Sequence, residues 1–113
     1  MNNSINQMVA NCINGSSVII RVGGNALKEL SFSSGKASLK DLEAVFSMCG
    51  WTHGSTLHFL PLLPNDNELF MVIGNDTILA IVSKEQSELF RGQKNCEYLT
   101  HEEVMYLQSH FEE

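Results

Sequence analysis

Hydrophobic residues recur along this chain at two different spacings, and the change from one spacing to the other predicts its helices and strands. Four apolar residues at helical spacing predict a first helix: Ile5, Met8, Val9 and Cys12. After a Gly/Ser turn, residues 18–22 are β-branched enough to predict a strand, and the turn Gly23–Asn25 returns the chain along a second strand over 27–33. The chain therefore opens with a helix and a β-hairpin.

A second helix is predicted after a clear start signal. Ser38 is followed three residues later by Asp41, which is close to a capping box. The apolar face of this helix comprises Leu39, Leu42, Val45, Phe46 and Cys49. Residues 56–60 then predict a third strand, and we expect Pro61 and Pro64 to end it because proline donates no backbone hydrogen bond.

The most hydrophobic part of the chain is residues 67–83, which are two apolar runs separated by a Gly-Asn-Asp turn. Such a turn is typical of a tight hairpin and predicts strands four and five. Apolar residues occupy both alternating positions in each run, so we expect both faces of this part of the sheet to be covered. In the fifth strand, one alternating set is Ile78, Ala80 and Val82, and the other is Leu79 and Ile81.

Two further helical segments are predicted towards the end of the sequence. Residues 84–90 have the character of one or two helical turns, and Thr100 with Glu103 forms a capping box. The apolar residues after this box are Val104, Leu107 and Phe111. The order α-β-β-α-β-β-β-α with an extra C-terminal helix predicts an α+β domain on a five-stranded antiparallel sheet. We expect one domain over 1–113, with a core over 4–91 and a helical extension over 95–113.

This order of elements resembles the roadblock (dynein light chain) family and its profilin-like and longin-like relatives. The resemblance covers residues 4–91 and rests on the element order and on two hairpins, "VIIRVGGNALKELSFS" and "NELFMVIGNDTILAIVSKE". It implies a non-enzymatic dimer, built by pairing the central helix and neighbouring strand of two subunits, that serves as a platform for a Ras-like small GTPase or a scaffold complex. The predicted central helix, Ser38 to Cys49, is shorter than is usual in that family.

Six residues are predicted as interface candidates: Leu42, Val45, Phe46, Met48, Trp51 and Phe59. Aromatic residues are enriched at binding hot spots, which singles out the tryptophan. The apolar surface predicted for the sheet favours a homo- or hetero-oligomer, because monomers rarely expose large apolar patches. The helices of one subunit could also divide between the two faces and cover both. We expect a protein partner and no cofactor.

Composition and charge narrow the choice of partner. Seven Lys/Arg against thirteen Asp/Glu give a net charge of -6, without the clustered positive field that nucleic-acid binding requires. No apolar run approaches the 18 residues needed to span a bilayer. The first twelve residues lack the pattern of a secretory signal, and three widely spaced cysteines indicate free thiols, so we expect a cytoplasmic location. An acidic chain of this kind suits a basic or neutral partner.

Two short Cys/His pairs carry an alternative, a metal-binding or thiol-enzyme domain: Cys49/His53 and Cys96/His101. Structural zinc sites usually bring more closely spaced cysteines, and Cys49 lies on the apolar face of its predicted helix. We therefore expect no metal site. Neither Gly23-Gly24 nor "HEEVMYLQSH" has the spacing of a phosphate loop or a metalloprotease. A small acidic secretion-type chaperone is the remaining alternative, although its elements follow a different order.

Overall fold

Three helices and six strands make up the regular elements of the computed structural model, which describes residues 2–23, 26–33, 35–63, 66–100, 102–103 and 105–106. The elements are α1 (Asn2–Asn14), β1 (Ser17–Gly23), β2 (Ala26–Ser31), α2 (Leu39–Met48), β3 (Leu57–Leu63), β4 (Asp66–Gly74), β5 (Thr77–Ser83), α3 (Lys84–Glu88) and β6 (Cys96–Tyr98). Within these ranges, no helix is long and apolar enough to cross a membrane.

The six strands form one mixed sheet in the order β2-β1-β5-β4-β3-β6. Strands β1 to β5 are joined by antiparallel pairing, and β6 pairs in parallel with β3 at Leu57–Phe59. The predicted α+β class is confirmed, but the sheet is not the predicted five-stranded antiparallel one. Part of the predicted helical extension, Cys96–Tyr98, is a strand because its flanking residues bond to β3: Leu57 N–H donates to Asn95 O at 2.8 Å, and Leu99 N–H donates to Phe59 O at 2.9 Å.

Strand β3 continues through Pro61, so the prediction that this proline ends the strand is wrong. Pro61 lies opposite Phe70 of β4, beyond the three residues at which β6 pairs with β3. An edge position of this kind tolerates proline because no further strand requires its missing N–H. Pro64 lies outside the described residues.

The larger hydrophobic core lies between α2 and the sheet. Its buried residues are Val18, Ile20, Leu42, Val45, Phe46, Trp51, Leu57, Phe59, Val72, Leu79, Ala80, Val82 and Phe90. Helix α2 begins at the predicted capping box, in which Asp41 N–H donates to Ser38 Oγ at 3.2 Å and Ser38 N–H donates to Asp41 Oδ2 at 2.9 Å. Phe90 joins this core after α3 and stacks on Phe46 with ring centroids 5.5 Å apart.

A smaller core lies on the opposite face of the sheet, under α1. Its buried residues are Cys12, Ile19 and Leu69, with Met8, Val9, Leu62 and Ile81 packed around them. The Cys12 thiol donates to the carbonyl of Ile81 at 3.4 Å, which ties α1 to β5. Of Ile5, predicted in the same stripe, only the backbone is described. The described helices α1 and α2 therefore lie on opposite faces of the sheet.

A β-bulge changes which side chains of β5 face the larger core. The pairing with β4 shifts between Val72 and Ile73, so Leu79 is an extra residue in its strand. Leu79 and Ala80 are consequently both buried in the larger core, whereas Ile78 is 43% exposed. The predicted hairpin is confirmed, with Asn75 and Asp76 at positive φ in its turn, but grouping Ile78 on one face with Ala80 and Val82 is wrong.

Candidate functional site

The six predicted interface residues are placed mainly inside the chain. Leu42, Val45, Phe46, Trp51 and Phe59 are between 0% and 8% exposed, whereas Met48 is 70% exposed. A side chain enclosed by its own core offers no surface to a partner. The spacing of apolar residues predicted that these side chains are buried. It did not show that the chain's own sheet buries them. The interface role stays a prediction, and Met48 is the candidate whose side chain is accessible.

Strand β3 follows α2 along the chain, and its outer edge is occupied by the chain's own strand β6. Residues Leu57–Phe59 of β3 pair with β4 on one side and with β6 on the other. A dimer that adds a strand of a second subunit along these three residues would have to displace β6. The dimer implied by the roadblock resemblance therefore stays a prediction that this edge does not favour.

The first candidate site is a pocket of about 370 Å³ between the loop after α2 and the loop before β6, here called the polar pocket. Its lining includes Glu43, Trp51, His53, Phe90 and Cys96. His53 Nε2 lies 3.4 Å from Glu43 Oε2, and the His53 ring lies against Trp51 with centroids 4.9 Å apart. The two loops are held together because Asn95 Nδ2 donates to the carbonyl of Gly54 at 2.9 Å.

The thiol in the polar pocket is poorly suited to nucleophilic chemistry. Burial raises the pKa of Cys96, and the negative charge of Glu43 raises it further. Burial also raises the pKa of Cys49. Because the thiolate is the reactive form, a raised pKa leaves both cysteines protonated at neutral pH and lowers their nucleophilic reactivity. The pocket brings Cys96 and His53 together, but its electrostatics oppose a thiol enzyme.

The two Cys/His pairs do not assemble a metal site from their described members. Among the residues that the structure describes, no group of three or more His, Cys, Asp or Glu side chains is arranged to hold a metal ion. His101, the fourth predicted ligand, lies outside the described residues. The pocket thus contains Cys96 and His53 without the ligand cluster that the zinc hypothesis required.

The second candidate site is a groove of about 370 Å³ between α1 and the sheet, here called the apolar groove. Its lining residues are Met8, Val9, Ile19, Leu27, Leu62, Leu69 and Ile81. All seven side chains are hydrophobic, and each of the strands β1 to β5 contributes one of them. Ligand sites are commonly concave and apolar, and the described lining of this one includes no charged or polar side chain.

The groove exists because α1 covers only part of its face. Among the described residues, the helix packs chiefly on β1 and β5 and less on β4, so it covers the β2 and β3 sides of the sheet less. Leu27 on β2 is 56% exposed as a result. Cys12 of the smaller core has its pKa raised to about 12 by burial and, less strongly, by the charge of Glu29. Sequence reasoning missed this site, although apolar residues at both alternating positions were its signal.

The two sites differ in what they can do chemically. The polar pocket contains a carboxylate, an imidazole and a protonated thiol beside aromatic rings, whereas the described side chains of the apolar groove offer only hydrophobic contacts. Comparison with known proteins does not choose between them. No family model matches this chain, and no curated protein or solved structure is significantly similar to it.

Proposed function

We propose that this chain is a non-enzymatic protein-interaction module that binds an amphipathic helix of a partner protein in the apolar groove. The observation that carries the proposal is the lining of the groove, seven hydrophobic side chains from α1 and five strands. Burying such surface contributes about 25 cal/mol per Å². Helix-in-groove recognition uses this geometry, with apolar anchors at i, i+3, i+4 and i+7 of the bound helix.

The net charge of the chain indicates which residues the outer face of the partner helix should carry. The chain carries thirteen acidic against seven basic side chains, so a helix with a basic outer face would approach it favourably. We therefore propose a partner helix that is apolar on one side and basic on the other. Attraction of this kind raises the association rate and is weakened by salt.

The roadblock resemblance would make the partner a Ras-like small GTPase and the chain a dimer. Both remain proposals that extend the first one, since the groove accepts an amphipathic helix from any basic protein. Support for a non-enzymatic role comes from the polar pocket, where burial and Glu43 raise the pKa of the Cys96 thiol.

The test compares two methionines, each on the surface of a helix. Met8 of α1 is partly buried and lines the groove, and Met48 of α2 is 70% exposed. Wild type, Met8→Lys and Met48→Lys are each used to capture partners from the source organism, with quantitative mass spectrometry. The captured protein's helix is then tested for direct binding as a peptide.

We expect Met8→Lys to lose the partner, with affinity lowered roughly tenfold or more, because a charge enters the apolar groove. Met48→Lys should bind as the wild type does. Undiminished binding by Met8→Lys would overturn the proposal. Loss on Met48→Lys alone would move the interface to the outer surface of α2.

A further inference from the structure

The most buried apolar side chains that line the polar pocket, here called its floor, are Trp51, Leu57 and Phe90. They are between 1% and 8% exposed and belong to the larger core. The indole of Trp51 is oriented by a hydrogen bond, since its Nε1 donates to the carbonyl of Ser55 at 3.0 Å. A Cβ atom added at Gly74 would lie 2.9 Å from Trp51 Cδ1, so the ring packs directly on the backbone of β4. This floor is therefore preformed, which lowers the cost of binding a ligand on it.

The two loops beside this floor are also held in place. Asn75 links the loop after α2 to the turn between β4 and β5, because its Oδ1 accepts from Thr52 N–H at 2.8 Å and its Nδ2 donates to Ser55 Oγ at 3.2 Å. In the loop before β6, Asn95 has a positive φ of 64°, which asparagine adopts more readily than most residues. Its Nδ2 donates to the carbonyl of Gly54 at 2.9 Å. Hydrogen bonds therefore fix both loops that form the pocket.

Side chains of opposite charge line the pocket. Helix α2 contributes Glu43, whose side chain is 27% exposed and whose Oε2 lies 3.4 Å from His53 Nε2, an imidazole that is positive only when it is protonated. The loop before β6 contributes Gln93 and Lys94. Burial and the charge of Glu43 raise the pKa of Cys96, so the field of this carboxylate extends into the pocket. A ligand in the pocket would therefore meet both a carboxylate and an ammonium group.

We propose that the polar pocket binds a free α-amino acid with an apolar side chain. The α-ammonium group donates to Glu43, the α-carboxylate accepts from Lys94, and the apolar side chain lies on the floor. Hydrogen bonds between charged groups are stronger than those between neutral groups. The volume of about 370 Å³ is near the lower end of the range for ligand pockets, which suits a molecule of this size.

The lining disfavours two other classes of small molecule. A nucleotide would bring several negative charges close to Glu43, and the basic groups of the described lining are only Lys94 and the imidazole of His53. A wholly apolar ligand would cover the carboxylate of Glu43 without giving it a partner, which is costly. A molecule with one positive group, one negative group and an apolar side chain complements all three parts of the pocket.

The polar pocket and the apolar groove are separate sites. The floor of the pocket belongs to the larger core on the α2 face, whereas Ile19 and Leu69 of the groove belong to the smaller core on the α1 face. A ligand in the pocket therefore leaves the groove open to a partner helix. Binding of an amino acid does not depend on the proposed function of the groove, and each site can be tested without the other.

Intrinsic fluorescence tests this site directly, because Trp51 is the one tryptophan of the sequence and lies in the pocket. The full chain is titrated with L-phenylalanine and L-leucine, and with L-serine as a polar control. Two analogues of phenylalanine test the charged groups separately: phenylalaninamide lacks the carboxylate, and 3-phenylpropionate lacks the ammonium group. Each probe is added up to about 10 mM, a concentration that occupies even a weak site with a millimolar Kd.

We expect L-phenylalanine and L-leucine to change the fluorescence of Trp51 to a plateau, and L-serine to have no such effect. Phenylalaninamide and 3-phenylpropionate should each bind roughly tenfold more weakly than L-phenylalanine, because each leaves one charged group of the pocket without a partner. Absence of a plateau with both apolar amino acids would overturn the proposal. Binding of either analogue as tightly as L-phenylalanine would also overturn it.

Substitution of Glu43 places the ligand in the pocket. Glu43→Gln should raise the Kd for L-phenylalanine roughly tenfold, because it removes the negative charge that pairs with the α-ammonium group. Glu97→Gln is the matched control, since Glu97 lies on the neighbouring strand β6, is 60% exposed and pairs with His58 instead of lining the pocket. Urea unfolding verifies that both variants are folded. An unchanged Kd in Glu43→Gln, or an equal rise in Glu97→Gln, would overturn the proposal.

Discussion

The two faces of the sheet are covered to different degrees. On the α2 face, thirteen buried residues among those described form one core, in which Phe90 stacks on Phe46 and lies tilted against Phe59. On the α1 face, the described residues form a smaller cluster, in which Cys12, Ile19 and Leu69 lie under a helix that leaves an apolar groove beside it. The difference is the basis for a proposed division of roles, in which the densely buried face determines stability and the partly covered face keeps apolar surface for the proposed partner.

The largest expected effect is on the α2 face. Phe46 is fully buried, stacks on Phe90 and meets Trp51 edge to face. Phe46→Ala should lower the free energy of unfolding by about 3–5 kcal/mol, since it removes transfer energy and leaves a cavity. Leu62→Ala, on the half-covered face, should cost less than about 2 kcal/mol.

Urea unfolding of both variants measures this contrast. Equal losses would contradict the division of roles, since they would show that the groove residues contribute as much to stability as the larger core.

A buried glutamine links the helices at one end of the sheet, and its substitution should have the second-largest effect on the free energy of unfolding. Gln86 is 3% exposed, and its Nε2 donates to the carbonyls of Gly15 and Ser17, each at 3.2 Å. Its Oε1 accepts from Ser83 N–H at 2.8 Å. Gln86→Ala leaves these buried groups unpaired and should cost about 2–3 kcal/mol.

Gln93→Ala is the exposed control for this experiment and should lie within about 0.5 kcal/mol of the wild type. Thermal and urea unfolding compare the two. A loss at Gln86 no greater than at Gln93 would show that water replaces the buried hydrogen bonds.

The sequence predicted the elements whose signals are local. The sequence predicted two capping boxes, at Ser38 and Thr100, and the hairpin turn at Asn75–Asp76. Each of these features depends on a few consecutive residues. Helix α1 and helix α2 were readable from apolar spacing. Local chemistry thus predicted most element positions and the α+β class.

Features that depend on contacts between residues far apart in sequence could not be predicted from the sequence. Three residues of β6 carry too short a pattern to predict a strand, and their pairing with β3 is visible only in the fold. The bulge at Leu79 moves one side chain to the other face without a local sequence signal. The apolar groove likewise depends on where α1 lies on the sheet. The sequence therefore predicted the helix and the strands that line the groove, but not the groove itself.

A smaller effect should distinguish the two faces by pH. Burial raises the pKa of Cys12 on the α1 face and of Tyr98 on the α2 face, each to about 12. The unfolded chain releases these protons at lower pH than the folded chain, so their contribution is complete below about pH 9 and is lost as pH rises towards 12. The titration of Cys12 alone should lower the free energy of unfolding by about 1 kcal/mol as the pH rises from 8 to 10.

Urea unfolding at both pH values tests this for the wild type, Cys12→Ala and Tyr98→Phe. Each substitution should reduce the loss of stability at high pH, and Cys12→Ala should do so more below pH 10, because the ordinary pKa of a cysteine is lower than that of a tyrosine. An unaltered pH dependence in Cys12→Ala would mean that water reaches the thiol under α1.

The smallest expected effect is at Met48, on the outer surface of α2. Because this side chain is 70% exposed, Met48→Lys should change the free energy of unfolding by less than about 0.5 kcal/mol. We also expect the molar mass from light scattering to match that of the wild type. A lower mass for Met48→Lys would place a subunit interface on α2, as the roadblock resemblance implies, and binding surface would then lie on both faces of the sheet.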